Sequence, residues 1–330
     1  MSLILRLLHF GLVLGALGAG LIAVLAFFGF VVPFFDLFNH LQIFLFPGTL
    51  IGLLIVAVLL RGRWRGLAVL LVGAGFLASA SVMVPELVGA SQPRPPVPTD
   101  RPVLTMMTHN LFGMNYEMEM VLDAILSDSP DIIVLQEYFG EQSTELDPLL
   151  GPLYPYSAQC RGGKRANIAI YSKLKFTQVL DGECPSNAYG TQRTAHIIAK
   201  FAPEGMKPFT VMTTHMDWPF PIARQHDELD MLSTALKSID GPVILAGDFN
   251  STPFAYALRN FINANGLARQ TFNLVTYPLS WYYFGAWRDT LPFLGLDHVF
   301  TRDGIVIHEL KAGKPTASDH LPVVFKFSVQ

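Results

Sequence analysis

Charge is the scarcest property of this chain. Of its 330 residues 15% are Asp, Glu, Lys or Arg and 51% are hydrophobic, against roughly 25% charged in ordinary soluble domains. Cysteine is scarcer still. Cys160 and Cys184 are the whole set, which excludes a cysteine-built metal site and a multi-disulfide scaffold. No run of Lys and Arg exceeds two residues, so the chain has no basic tail of the kind that binds a nucleic-acid backbone. Internal repeats are lacking, and one proline-rich stretch is the only biased tract.

The shortage of charge is local. Residues 1–100 hold five basic residues (Arg6, Arg61, Arg63, Arg65, Arg94) and three acids (Asp36, Glu86, Asp100). The remainder carries 18 basic and 23 acidic residues, a net of −5. Three uncharged runs, 7–35, 41–60 and 66–85, approach or exceed the ~20 apolar residues needed to cross a ~30 Å hydrocarbon core as helix. The first is much longer than the 7–15-residue core of a signal peptide. Three such runs in succession argue against buried soluble helices. Residues 1–88 are therefore expected to form three transmembrane helices, with Pro47-Gly48 kinking the second or delaying its start.

Orientation follows from "RGRWRG" at 61–66 and from Arg6, because the link around Asp36 and His40 carries no Lys or Arg. The positive-inside rule places the N-terminus and the 61–66 loop in the cytoplasm, and everything past residue 90 outside it. Residues 89–102, "GASQPRPPVPTDRP", suggest a proline-rich tether at ~3.1 Å per residue, reaching ~40 Å when fully stretched. Both cysteines fall in the exported part, as a disulfide or as two buried thiols.

Residues 103–330 suffice for one sizeable core. Strand-like runs recur as "VLTMMTHN", "DIIVLQE", "NIAIYS", "FTVMTTH", "PVILAGDFN", "LDHVFT" and "LPVVFKF". Helical patterns fall at 117–127, 223–238 and 254–265. Many direct strand-to-strand steps predict a layered α/β or α+β sandwich, with too few crossover helices for a doubly wound parallel fold. The strands end in polar residues: Asn110, Gln136-Glu137, His215, then Asp248 and Asn250. Asp297-His298 and Ser318-Asp319-His320 immediately precede the last two strands. A single such ending is a turn; six look like one sheet edge furnished for chemistry.

In these residues the chain resembles the endonuclease/exonuclease/phosphatase superfamily. The resemblance rests on "THN", "LQE", "TTH", "GDFN", "LDHVF" and "SDHLPV" in that order, and spans nearly all of 103–330. The sequence of spans, tether and catalytic domain looks like a bacterial membrane-anchored branch described as YafD-like. The resemblance implies a four-layer sandwich of two β-sheets flanked by helices, and hydrolysis of a phosphate ester with Mg²⁺ or Mn²⁺, hard ions that take oxygen ligands. Glu137 would be the first metal ligand, with Asn110 and Asp319 completing or adjoining its sphere. Asp248 would orient or deprotonate the attacking water, and Asn250 would hold that water or a phosphate oxygen. His320, oriented by Asp297, would contact the phosphate and move a proton. His215 would be a second phosphate contact or proton donor, and Arg193 would meet a substrate phosphate. His9, His40, His109, His196, His226, His298 and His308 match no role.

The implied localisation is a bacterial inner or plasma membrane, multi-pass, with the catalytic domain periplasmic or extracellular. The partners expected are the lipid bilayer and a phosphoester, either a lipid headgroup or a nucleic acid. A nuclease needs cations along its groove, and a net of −5 fits that poorly. A lipid phosphodiesterase needs apolar residues at the mouth, and "PLSWYYFGAWRDTLPFLG" at 278–295 is aromatic enough for a lip or for core packing. An inactive receptor is the third reading, weakened by the presence of every motif residue.

Overall fold

The computed structural model describes residues 2–161, 167–179, 195–283 and 286–330. The chain divides into two compact units. One comprises Met1–Ser91 with Thr252–Asn260, the other Gln92–Ser251 with Phe261–Gln330.

The first unit is built on α1 (Leu3–Phe27), the short α2 (Pro33–Asp36), α3 (Gln42–Leu59) and α4 (Gly62–Ser91). Three helical stretches, Leu3–Phe30, Pro33–Leu59 and Gly62–Ser91, are long and apolar enough to cross a membrane. Their outward side chains are largely apolar. Leu7, Phe10, Leu54, Leu70 and Leu77 point outward, while Ala16, Val56, Ala68 and Val72 pack inside. Without a hydrophobic drive between helices, close backbone approach takes over. A Cβ added at Gly75 would lie 2.8 Å from the Gly20 Cα, so small residues are required at that crossing. Pro47 lies inside α3 without ending it. The third span continues past the expected boundary to Ser91, with Pro85 inside it.

The second unit holds β1 (Leu104–Asn110), α5 (Met118–Asp128), β2 (Ile132–Gln136), α6 (Gly140–Leu150), β3 (Tyr156–Cys160), β4 (Ile168–Ser172), β5 (Phe176–Val179), β6 (His196–Phe201), β7 (Phe209–His215), α7 (Ile222–Lys237) and β8 (Val243–Asp248). Helix α8 (Tyr256–Ala264) follows, with its residues through Asn260 counted in the first unit. Then come β9 (Ala268–Arg269), β10 (Ser280–Tyr283), β11 (Ala286–Asp289), β12 (Asp297–Arg302), β13 (Ile305–Ala312) and β14 (Val323–Val329). One six-stranded sheet runs β13-β14-β1-β2-β4-β3, the other β5-β6-β7-β8-β12-β9, and β10-β11 is a separate hairpin.

Period-two alternation builds the layers. Met106, Ile132, Val134 and Ile170 share a cluster with Ile197, Val211, Ile244 and Val299 of the other sheet, so the two sheets pack face to face. Their neighbours Met107, Ile133 and Leu135 turn the other way, onto Val121 and Ile125 of α5 and Leu146 and Leu150 of α6. Two mixed sheets flanked by helices is the layered sandwich expected from the sequence.

One expectation changes, and one open alternative is decided. Residues 92–102 do not hang free: the Arg94 guanidinium donates to the Gln270 carbonyl at 2.7 Å, and Pro95 O accepts from His308 Nδ1 at 3.1 Å. His308, matched to no role, thus fastens this stretch to the sheet unit. Cys160 is disulfide-bonded, which sets aside the buried thiol; Cys184, the chain's other cysteine, lies outside the described residues.

Candidate active site

Strand direction explains why the polar motifs converge. β1 runs parallel to β2, with Asn110 opposite Gln136, and β7 runs parallel to β8, with His215 opposite Asp248. Both pairs therefore finish on the same kind of edge. β12 is antiparallel to β8 and starts where β8 ends, pairing Asp297 with Asp248. β14 is antiparallel to β1, so Ser318, Asp319 and His320 precede it beside the end of β1. Strand ends supply one half of the site and strand beginnings the other.

The side chains form two hydrogen-bonded sets that meet at Asp248 and His320. Asn110 Nδ2 donates to Asp248 Oδ2 at 2.8 Å and approaches Glu137 Oε1 at 3.4 Å. Asn110 Oδ1 accepts from the Phe112 amide, and Glu137 Oε2 accepts from the Gly113 amide at 2.7 Å. Asp248 Oδ1 accepts from the Asn250 amide at 2.7 Å, while Asn250 Nδ2 donates to the Met216 carbonyl. His215 Nε2 lies 3.7 Å from both Glu137 Oε1 and Asp248 Oδ2. His320 Nδ1 is 2.8 Å from Asp297 Oδ2, and its Nε2 is 3.8 Å from Asp248 Oδ2. Asp297 Oδ2 also accepts from the Thr276 hydroxyl at 2.6 Å.

Backbone strain collects here. Phe112, Glu137, Asn250 and Ala317 all have positive φ (61°, 52°, 46° and 60°), a conformation that costs a non-glycine residue of order 1–3 kcal/mol and persists where surroundings enforce it.

Burial and pairing set the charges. Burial alone would lower the His320 pKa, but Asp297, then Asp248 and Asp319, outweigh it and the ring is pushed up. Burial opposes ionisation of Asp297, yet His320 and the Thr276 hydroxyl hold its carboxyl below the ordinary range. Burial, only partly offset by His320, pushes Asp248 up to about 7. Asp319 is pushed up to about 6, first by burial and then, against His320, by Glu137. A carboxylate–imidazolium pair thus faces a carboxylate poised near neutrality.

Asn110, Glu137, His215, Asp248, Asn250, Asp297 and His320 are brought together, and the charges of Asp319 act on the same groups. Arg193 lies outside the described residues. Four contributors had no role assigned from the sequence. Thr276 holds Asp297, and the Tyr277 ring lies 4.7 Å, centroid to centroid, from that of His320. His298 Nε2 donates to the Ser251 carbonyl at 2.8 Å, and its Nδ1 accepts from the Thr271 hydroxyl. His109 contacts the Thr316 hydroxyl at 2.6 Å. Burial, first of all, pulls His298 and His109 down to about 3, so both remain neutral. His298 had a signal in its place beside Asp297; Thr276 and Tyr277 had none.

The aromatic segment is not core. β10 and β11 form a hairpin on which Trp281, Tyr282 and Trp287 are about half exposed. Trp287 packs on Tyr282 at 5.5 Å and edge-on against Phe112 at 5.4 Å. At the hairpin's base the Leu279 amide donates to the Asp319 carbonyl. Trp218, near Tyr277, and Phe220 are also exposed. Phe284 of the same segment lies outside the described residues.

Two stacked mixed sheets with a polar cluster of this make-up suit the chemistry of phosphate esters. The sequence profile of the Endonuclease/Exonuclease/phosphatase family matches residues 107–320, and the chain belongs to that family. No curated protein sequence matches it. Among solved structures it is similar to D. rerio TDP2 complexed with single-strand DNA product, at 15% identity and a TM-score of 0.55, covering 69% of this chain and 99% of that one. It is also similar to an endonuclease/exonuclease/phosphatase from Beutenbergia cavernae at 20% identity and 0.53, covering 69% and 72%. A mannosyl-6-phosphatase of Bacteroides thetaiotaomicron resembles it at 15% identity and 0.52, covering 68% and 99%. These likenesses show the fold.

The Asp297–His320 pair gives a direct test. Asp297→Asn keeps the volume and removes the charge that orients and ionises His320. It should lower kcat on an aryl phosphodiester by roughly 10–100-fold, the scale for losing such a partner, with a smaller change in KM. Wild-type kcat in this variant would remove Asp297 from the mechanism.

Proposed function

We propose that this chain is a membrane-anchored, divalent-metal-dependent phosphodiesterase of the YafD-like branch, with residues 1–88 as anchor and its catalytic domain outside the cytoplasm. The observation that carries the reading is the cluster itself: an amide pair, three carboxylates and two histidines meeting where strand ends of the two sheets come together, not on the single sheet edge expected from the sequence. Asp248, raised toward neutrality, holds and deprotonates water between Asn110 and Asn250. His320, kept protonated by Asp297, offers its Nε2 proton to the phosphate or to the departing oxygen, with His215 as the second contact.

The donor set fits a hard cation such as Mg²⁺ or Mn²⁺. Glu137 helps to raise the Asp319 carboxyl, so the two crowd each other, and a divalent ion held by them and the Asn110 oxygen would relieve the repulsion. Bound there, it would neutralise charge on the non-bridging phosphate oxygens. Asp248, Asp297 and His320 also bring ligand-type atoms within 4.8 Å of one another. The hydrogen bond between Asp297 and His320 favours proton handling for that trio. Glu137→Ala should weaken Mn²⁺ binding by at least ~10-fold and lower turnover ~10²-fold or more, while Asp297→Asn keeps the ion. Titration of Mn²⁺ by paramagnetic resonance decides between the sets, and full activity in EDTA would sink the metal role.

The substrate class follows from charge and aromatics. A net of −5 outside the first hundred residues disfavours a long polyanion, and the exposed Trp281, Tyr282 and Trp287 suit a headgroup at the bilayer surface. One structural neighbour holds a DNA product, so DNA belongs among the substrates assayed. Replacing Trp281 and Trp287 by Ser should reduce hydrolysis of phosphodiesters in vesicles while sparing a small soluble one. Ready cleavage of DNA with no action on vesicles would replace this reading by a nuclease.

Orientation has its own test. With cytoplasmic Arg6 and "RGRWRG", protease added to intact spheroplasts should cut beyond residue 100. Protection until lysis would reverse the topology.

A further inference from the structure

Helix α8 begins without a cap of its own. The residues just before it, Pro253, Phe254 and Ala255, have no side-chain acceptor, whereas the first amides of a helix need one. The acceptor comes from the far end of the chain. Asp36, buried at the end of the short helix α2 that opens the second apolar stretch, accepts from the Tyr256 amide through Oδ1 at 2.6 Å and from the Ala257 amide through Oδ2 at 2.9 Å. The carboxylate is fixed in turn: Asn39 Nδ2 donates to Asp36 Oδ1 at 2.8 Å and to the Ala26 carbonyl at 3.0 Å, and Gln42 donates to Asn39. His40 Nδ1 accepts from the Thr252 amide at 3.3 Å and lies 3.1 Å from the Thr252 hydroxyl. Phe30 packs beside Tyr256. All of these groups belong to the first compact unit.

Asp36 is also the sole acid in the first 85 residues. A carboxylate among apolar spans is costly, and an anion at a helix N-terminus is stabilising. The start of the second apolar stretch grips residues 252–257 at both ends, and that segment continues directly from Asn250 and Ser251.

We propose that Asp36, seconded by His40, is a positioning residue for the hydrolase. The start of the second apolar stretch caps the helix that follows Asn250 and so fixes the loop carrying Asp248 and Asn250. The capping stands independently, while its effect on turnover rests on the phosphoesterase reading.

The test uses full-length protein in detergent, as Asp36→Ala, Asp36→Asn and His40→Ala, with amide hydrogen exchange and kinetics on an aryl phosphodiester. Asp36→Ala should speed exchange at Tyr256 and Ala257 by about tenfold, the scale of losing a cap. It should lower kcat by a similar factor with KM within about twofold, and Asp36→Asn, which keeps one of the two acceptor oxygens, should recover part of both. If Asp36→Ala is not recovered folded, His40→Ala carries the test, with faster exchange at Thr252 and reduced kcat expected. Unchanged exchange at 252–257 overturns the capping. Faster exchange with wild-type kcat overturns the positioning. A wild type inert toward every phosphoester, but with the exchange pattern intact, removes the hydrolase reading and with it the effect on turnover, leaving Asp36 as a structural cap.

Discussion

Strand direction is the constraint on which the rest of the catalytic unit depends. Each six-stranded sheet has one parallel pair at its centre, β1 with β2 and β7 with β8, bordered by antiparallel neighbours. Parallel partners must end together, and an antiparallel neighbour must begin where they end. Polar residues at four strand ends and two strand starts therefore meet without a long loop to carry them. Apolar side chains fill both faces behind them, so the cluster forms where backbone leaves the core and water is already thin.

Desolvation then does opposite things to neighbouring groups. Asp248, which faces several partners that share its oxygens, is driven toward the neutral form. Asp297 meets one dedicated imidazole and a hydroxyl, and stays ionised in an equally buried place. Two aspartates paired across β8 and β12 thereby acquire different chemistry from partners alone. Removing one member of such a buried pair strands the other without compensation.

The legible part of the sequence was the part buried on both faces. The seven apolar runs mark β1, β2, β4, β7, β8, β12 and β14, all interior strands. The four edges, β3, β5, β9 and β13, went unseen, being short or half-exposed. Interior β6 was missed as well. The site was legible where its residues close a strand run, as Asn110 and His215 do. Thr276 and Tyr277 lie in a loop whose role is set by contacts with Asp297 and His320, and no local pattern carries that. The proline-rich stretch misled for the same reason. Its composition suggests a free tether, and Gln270 and His308, 176 and 213 residues away, hold it down. Arg193 stays with the sequence alone.

The cap on α8 also has a consequence in time. Asp36 and its partner Tyr256 are separated by 220 residues. At a synthesis rate of 5–20 residues per second, the carboxylate leaves the ribosome roughly 10–45 s before the amides it will bind. Through that interval it must be satisfied by water or by Asn39. The three apolar helices are made early, but their unit is completed only when residues 252–260 arrive, after most of the sheet strands have been made. That unit thus begins with the first helix to be made and closes only late in synthesis, shortly before the last strands of the sheets.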